Sequence, residues 1–188
     1  GTAGTDYPTG MAGYTIMAKD LSLGYVTGGS VTEGADLTLT ADDSASAGTI
    51  TARTGTSDWS TTNSDSNLQY INGTGGTYDS HSYYSYGAAQ KVCPKGWRPP
   101  TNTEYSNIAT FMGGGNPAGS ATIRGAPYNF VYGGYFFMYG WSGVGSDGSY
   151  WSSTPYDTYG YYLYFGSSVL NTTIDGKYKG MSVRCVSN

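Results

Sequence analysis

Few residues in this chain could do covalent or acid–base chemistry. Among 188 residues there are two cysteines and a single histidine. Cys93 and Cys185 lie far apart, and neither has an adjacent histidine to draw off its proton, so a nucleophilic role has little support. One imidazole cannot complete a zinc site with two distant thiolates unless the fold converges them. A Ser-His-Asp set could be assembled around His81, but no Gly-x-Ser-x-Gly elbow accompanies it. His81 therefore reads as a surface or helix-start residue. Asp42, Asp43, Asp58, Asp65, Asp147 and Asp157 offer hard oxygen ligands, yet their spacing matches no calcium loop. A structural calcium is left open, and no other cofactor is expected. Gly113-Gly114-Gly115 follows a helical pattern instead of opening one, so it reads as a helix stop and not as a phosphate cradle.

What the chain has in quantity is tyrosine, 20 in all, alongside 30 glycines. Ten of the tyrosines fall between Tyr128 and Tyr164, with Phe136, Phe137, Trp141 and Trp151 among them. Tyrosine gives a large contact area for two side-chain torsions and keeps a hydrogen-bonding tip, while Gly, Ser and Asn add adaptability. This is the composition of antibody-like contact surfaces. The density peaks at Tyr161-Tyr162-Leu163-Tyr164-Phe165-Gly166. On a strand, alternate side chains face opposite ways. Tyr161, Leu163 and Phe165, with Trp151, are expected in the core. Tyr162, Tyr164 and Gly166 are expected on the opposite face, which carries aromatic rings with polar tips where a solvent face usually carries Lys, Glu or Thr. The candidate ligand-binding set is Tyr156, Asp157, Thr158, Tyr159, Tyr162, Tyr164 and Gly166, with Tyr135 and Tyr139 as neighbours.

The elements that must position this set are legible in outline. The length suits one domain with a real core, taken as 1–188 with residues 1–13 a loose leader. Strands are expected at Tyr14–Ala18, Leu37–Thr40, Thr49–Ala52, Gln69–Ile71, Tyr128–Tyr132, Val169–Ile174 and Lys177–Val186, with long loops between Gly24 and Gly76. A short helix is expected within His81–Gln90. The clearest helix follows Pro99-Pro100: Thr101-x-x-Glu104 is a capping box, and Tyr105, Ile108, Ala109 and Met112 recur at helical spacing. The net charge of −4 and scattered Lys and Arg argue against a nucleic-acid partner. No apolar run approaches the ~20 residues that span a bilayer. No signal peptide is visible, but low charge and abundant Gly, Ser, Thr and Tyr suit an exported protein.

Cys93-Pro94-Lys95-Gly96-Trp97-Arg98-Pro99-Pro100-Thr101, Tyr150-Trp151-Ser152-Ser153-Thr154 and Ser182-Val183-Arg184-Cys185-Val186 together resemble the landmarks of the major paralogous domain first catalogued in Fibrobacter. Tyr14 to Gly24 and Leu37-Thr38-Leu39-Thr40 resemble its amino-terminal part, so the likeness covers nearly the whole chain; Pro99 stands where that domain usually has Leu. The resemblance implies an α+β chain of the C-type lectin-like fold, with a small twisted antiparallel sheet, one or two helices and long loops. A subset of such domains resembles the variable proteins of diversity-generating retroelements. Their varied segment lies between the Trp-Ser-Ser motif and the Arg-Cys strand, here within 150–186. Asn codons altered at adenines yield Tyr, Asp, Ser, Thr or Gly, the residues that dominate that interval. The implied function is non-catalytic binding of a protein or cell-surface ligand by a diversified surface, in a monomer located outside the cell, at its surface or on a virion. An invariant adhesin or structural module of the same fold is the alternative. A formylglycine-generating enzyme relative is a third reading, and it would need reactive cysteines. The Glu-Pro-Asn and Trp-Asn-Asp motifs of calcium-dependent sugar-binding lectins are absent. Cys93 and Cys185 sit at the two ends of the lectin-like core. A disulfide there would contribute roughly 4–5 kcal/mol by the chain-entropy argument; two buried free thiols are the alternative.

Overall fold

A computed structural model of the chain describes residues 37–39, 48–53, 59–72, 82–93, 96–114, 117–125, 128–138 and 140–187. The leader at 1–13, the strand expected at Tyr14–Ala18, His81, Tyr139 and the aspartates Asp42, Asp43 and Asp58 lie outside these residues. Strands β1 (Leu37–Leu39), β2 (Gly48–Ala52), β3 (Gln69–Asn72) and β4 (Ser82–Tyr84) form a sheet in chain order. Three of these strands follow the expected segments. The β2–β3 pair is parallel, so this sheet is mixed where a single antiparallel sheet was expected. After the short helix α1 (Tyr86–Ala89), strand β5 (Trp97–Arg98) leads into helices α2 (Asn102–Phe111) and α3 (Pro117–Arg124). A hairpin of β6 (Tyr135–Phe137) and β7 (Gly140–Ser142) precedes a three-stranded antiparallel meander. The meander comprises β8 (Gly148–Tyr156), β9 (Tyr159–Phe165) and β10 (Leu170–Gly176), in the order β10-β9-β8. Finally β11 (Val186–Ser187) pairs antiparallel with β5.

The meander is covered on both faces at β8, and the alternation of its residues sets how. Tyr150 pairs with Leu163 and Gly148 with Phe165. Tyr150, Leu163 and Phe165 bury against Tyr105 and Ile108 of α2, Met112 at its C-terminal cap and Ile123 of α3. Trp151 points the other way, into a second cluster with Tyr70, Tyr84, Tyr86, Met181 and Val183. Its indole N–H donates to the Tyr84 carbonyl at 2.8 Å. A third cluster joins Trp59, Ile71, Tyr83 and Phe136, so the Gly-rich first half supplies core residues instead of wrapping a finished core.

Helix α2 begins as the capping box requires. The Glu104 N–H donates to the Thr101 hydroxyl at 3.2 Å, and the Thr101 N–H donates to Glu104 Oε2 at 2.6 Å. Arg98 completes the arrangement with a fork, Nη1 to Oε2 and Nη2 to Oε1, both 2.7 Å. Burial would raise the Glu104 pKa, but the Arg98 hydrogen bonds, the Thr101 N–H and the guanidinium charge outweigh it and hold the carboxyl below its ordinary value. Cys93 and Cys185 form a disulfide with Cα atoms 5.8 Å apart, as the resemblance implied. It ties the segment before β5 to the segment before β11.

Four expectations need correction. Tyr128–Tyr132 is not a strand, because it folds back on the end of α3: Tyr128 and Asn129 N–H donate to the Gly125 carbonyl and Phe130 N–H to that of Ile123. Asn129 takes a left-handed conformation there, with φ 50°. Lys177–Val186 is no continuous strand. It crosses the molecule by single bridges, Gly180 to Phe136, Met181 to Tyr84 and Ser182 to Tyr150, before β11 forms. The helix within His81–Gln90 shrinks to α1, since Ser82–Tyr84 pairs with β3 instead. Helix α3 went unread and makes three helices among the described residues; Pro117 suits a first helical position, but Gly119 weakens the pattern.

Candidate functional site

The β8–β9 hairpin is the element that presents candidate residues to solvent, and its geometry begins at Trp151. Trp151 pairs with Tyr162, and the next pair is Pro155 with Gly160. Three residues of β8 thus stand opposite Tyr161 alone. This bulge is anchored residue by residue. The Ser152 hydroxyl donates to the Tyr161 carbonyl at 2.8 Å. The Ser152 carbonyl accepts from the Gln90 amide at 3.1 Å, and the Ser153 carbonyl from the Tyr86 hydroxyl at 3.0 Å. The Ser153 N–H donates to the Pro100 carbonyl at 2.8 Å. The Thr154 hydroxyl accepts from the Asn102 N–H at 2.9 Å. The Trp-Ser-Ser-Thr motif is therefore a clamp. Bulges of this kind bend a strand and re-aim the residues beyond them.

Beyond the clamp, Tyr156 pairs with Tyr159 and closes a tight turn at Asp157 and Thr158. Asp157 holds φ 50°, a conformation that short polar side chains tolerate. All four tip residues are exposed, with Tyr156 at 51% and Tyr159 at 43%. The Tyr156 ring meets Tyr161 edge-on at 5.6 Å. Tyr161, expected in the core, is only half-buried. It lies on the face of Leu163 and Phe165 but opposite the bulge, beyond the cover that α2 gives those two.

The other face of β9 carries a second group. Tyr162 packs edge-on against Trp151 at 5.9 Å and against Tyr164 at 6.3 Å. Tyr135 and Tyr162 both border the Trp151 cluster. The Tyr164 hydroxyl donates to Asp147 Oδ1 at 3.1 Å. Burial, and then the charge of Asp175 and other neighbours including Asp147, push the Tyr162 phenol well above its ordinary range. The Tyr164 phenol is raised by burial first and by its Asp147 hydrogen bond next. Both stay neutral hydrogen-bonding groups at physiological pH. Lys179 Nζ lies 4.6 Å from the Tyr135 ring centre, 4.9 Å from that of Phe137 and 2.6 Å from Asp175 Oδ2. That ammonium is held by cation–π and ionic contacts together.

The candidate set thus resolves into two groups, one at the β8–β9 tip and one where β9 meets β6. Tyr156, Asp157, Thr158 and Tyr159 form the tip; Tyr135, Tyr162 and Tyr164 form a half-buried aromatic face. Gly166 adjoins the second group without reaching solvent: a Cβ there would lie 3.1 Å from Asp147 Oδ1 and 3.6 Å from the Tyr164 hydroxyl oxygen. It is buried past the end of β9, and its carbonyl accepts the Ser120 hydroxyl. Tyr139 lies outside the described residues. Sequence reasoning weighed Phe137 evenly between binding and core and left it out of the set, and it missed Asp147, Asp175 and Lys179 as members of the aromatic face. The alternation of Tyr135 and Phe137 on β6 was a usable signal for Phe137, whereas Lys179 reaches the face only through the irregular crossing segment.

Among the described residues no cluster of three or more His, Cys, Asp and Glu could hold a metal. Of the aspartates weighed as calcium ligands, Asp65 pairs with Lys177 at 2.8 Å and Asp147 serves Tyr164. Among the same residues, no helix is long and apolar enough to cross a membrane. Residues 24–187 match the model of the Fibrobacter succinogenes major domain, and the chain belongs to that family. No curated protein and no solved structure matches it.

Proposed function

We propose that this member of the Fibrobacter succinogenes major domain family is a non-catalytic recognition protein of C-type lectin-like fold. Its hairpin tip, Tyr156–Tyr159, with the adjoining Tyr135, Tyr162 and Tyr164, contacts a protein or cell-surface ligand. One observation carries this reading: the four tip residues are all exposed, while the Trp-Ser-Ser-Thr clamp fixes the strand that delivers them. A rigid support under exposed tyrosines favours binding, since rigid aromatic anchors lose little entropy on contact. Engagement of both cysteines in the disulfide supports a non-catalytic role, because neither is then a nucleophile. The disulfide also suits a protein outside the cell, at its surface or on a virion, and we take it to act as a monomer.

Diversification by a retroelement is the finer part of the proposal. Exposed tip residues, whose one ring contact is that of Tyr156 with Tyr161, can vary with little cost to the fold, and Tyr, Asp and Thr are all reachable from Asn codons by adenine changes. Sequencing the locus in many cells tests it. A neighbouring near-copy of the codons for Tyr150 to Cys185, beside a reverse transcriptase and with variation confined to the proposed contacts, is the expected result. A single invariant gene would replace diversification with the second reading, an adhesin module with one fixed partner.

A further inference from the structure

A polar groove of about 440 Å³ opens where β2 meets the loop before β3, in a part of the chain that the hairpin does not use. Arg53, Ser60, Thr62, Ser64, Ser66 and Asn67 line it. Arg53 is its one charged group among the described residues. The guanidinium is oriented from below. Its Nε–H donates to Gln69 Oε1 at 3.2 Å, and Gln69 is fully buried. Gln69 is itself fixed on both sides: its oxygen accepts the Ser60 N–H at 3.0 Å, its amide donates to the Ser60 carbonyl at 2.7 Å, and its backbone N–H donates to Ser85 Oγ at 3.1 Å. An arginine has five N–H donors. One is spent on Gln69, and the other four have no acceptor among the described residues.

The hydroxyls along the groove are paired so that donors remain. Ser60 Oγ donates to Thr62 Oγ1 at 3.0 Å, which leaves the Thr62 O–H free to donate outward. Ser64 and Ser66 share one hydrogen bond at 3.0 Å, which again commits only one of two O–H groups. The Asn67 amide donates to the Thr62 carbonyl at 3.1 Å and stiffens the loop. A preoriented guanidinium fork matches a carboxylate or sulfate. The row of hydroxyls beside it matches a ligand with several hydroxyls of its own. No described carboxylate lines the groove to repel an anion.

The geometry points to a binding site for an acidic sugar, with the carboxylate or sulfate on Arg53 and the ring hydroxyls along Ser60 to Ser66. This site is independent of the tyrosine hairpin, and either can fail without the other. The test is a titration of the isotope-labelled full chain with glucuronate, glucose and sodium sulfate, read as amide shifts at residues 60–67 and at Arg53 Nε. The expected result is a saturable response to glucuronate, about tenfold stronger than to glucose, in keeping with hydrogen bonds to a charged group. Arg53→Gln removes that difference while its spectrum stays dispersed. Should that variant fail to fold, raising the ionic strength of the wild-type sample serves instead, and weakens glucuronate but not glucose. Equal responses to glucuronate and glucose, a glucuronate response that survives Arg53→Gln or added salt, or no saturable response would overturn the site. A response to sulfate alone equal to that of glucuronate would overturn the sugar.

Discussion

Replacing Glu104 by Gln keeps the shape of the α2 cap and removes its charge. Glu104 accepts three short hydrogen bonds, two from the Arg98 fork at 2.7 Å each and one from the Thr101 N–H at 2.6 Å. A glutamine offers one oxygen, so it must turn an N–H toward a donor on Arg98. Hydrogen bonds to charged groups contribute about 1.5–3 kcal/mol each. The Arg98 side chain is 35% exposed, so solvent screens the pair and the fork is worth less than the sum. The expected loss is about 2–3 kcal/mol at pH 7, or about 4–12 °C in melting temperature for a chain of this size. The pH dependence has a fixed sign. The folded pKa of Glu104 lies below its unfolded value, so its stabilisation is full above the unfolded glutamate pKa, about 4.3. It is lost as pH falls through the lower, folded value. Thermal melts of both proteins from pH 7 down into the acid range should show the gap between them closing. A gap under about 1 °C at pH 7, or one that persists unchanged in acid, would refute the account of Arg98 and Thr101 as the groups that hold this carboxylate.

The same packing fixes other outcomes. Tyr156→Ala and Tyr159→Ala should each change stability by no more than about 0.5 kcal/mol, whereas Tyr162→Ala, which strips Trp151 of an edge contact, should cost about 1–3 kcal/mol; equal melting temperatures for all three would contradict the division of the site. A pull-down comparing wild type with the Tyr156→Ala, Tyr159→Ala pair should lose the ligand while the melt stays put. The denatured, unreduced protein should give no free thiol, and Cys93→Ala with Cys185→Ala should lower stability by up to roughly 4–5 kcal/mol, given a separation of 92 residues. Gly148→Ala would drive a methyl group into the Phe165 ring; a loss of about 1–3 kcal/mol or more in urea unfolding is expected, and tolerance of the change would mean that Phe165 is not seated as described.

Sequence reasoning worked where local rules decide the outcome. The capping box at Thr101 and Glu104 needs only residues in one turn, and α2 forms where it predicts. The alternation in β9 put Leu163 and Phe165 inside, because a pleat leaves no choice. It failed for Tyr161 because burial also depends on what lies above a face, and the bulge opposite Tyr161 takes cover away. Gly166, expected on the outward face, is buried for the same reason: the strand pattern ends one residue earlier, Ser120 from α3 bonds its carbonyl, and Asp147 and Val169 crowd the place where a side chain would start. The segment Lys177–Val186 has the composition of a strand, yet each of its short pairings is set by a different, distant partner. No window of sequence contains that information. The tip tyrosines stand out in the sequence itself and are exposed, whereas Asp147 and Lys179 reach the aromatic face through tertiary contacts.

The crossing segment has a consequence for the order in which this molecule can be made. Residues 180–187 bridge β6, β4, β8 and β5 in turn, and they come after all four in the chain. During synthesis these partners emerge first and must wait, unsatisfied, for the strand that joins them. Cys93 likewise has to wait for Cys185, 92 residues later, before this disulfide can form. Contacts of such long sequence separation are slow to form. In a nascent chain of this architecture the bridges that join β6, β4, β8 and β5 therefore form late, after nearly all the described residues have appeared.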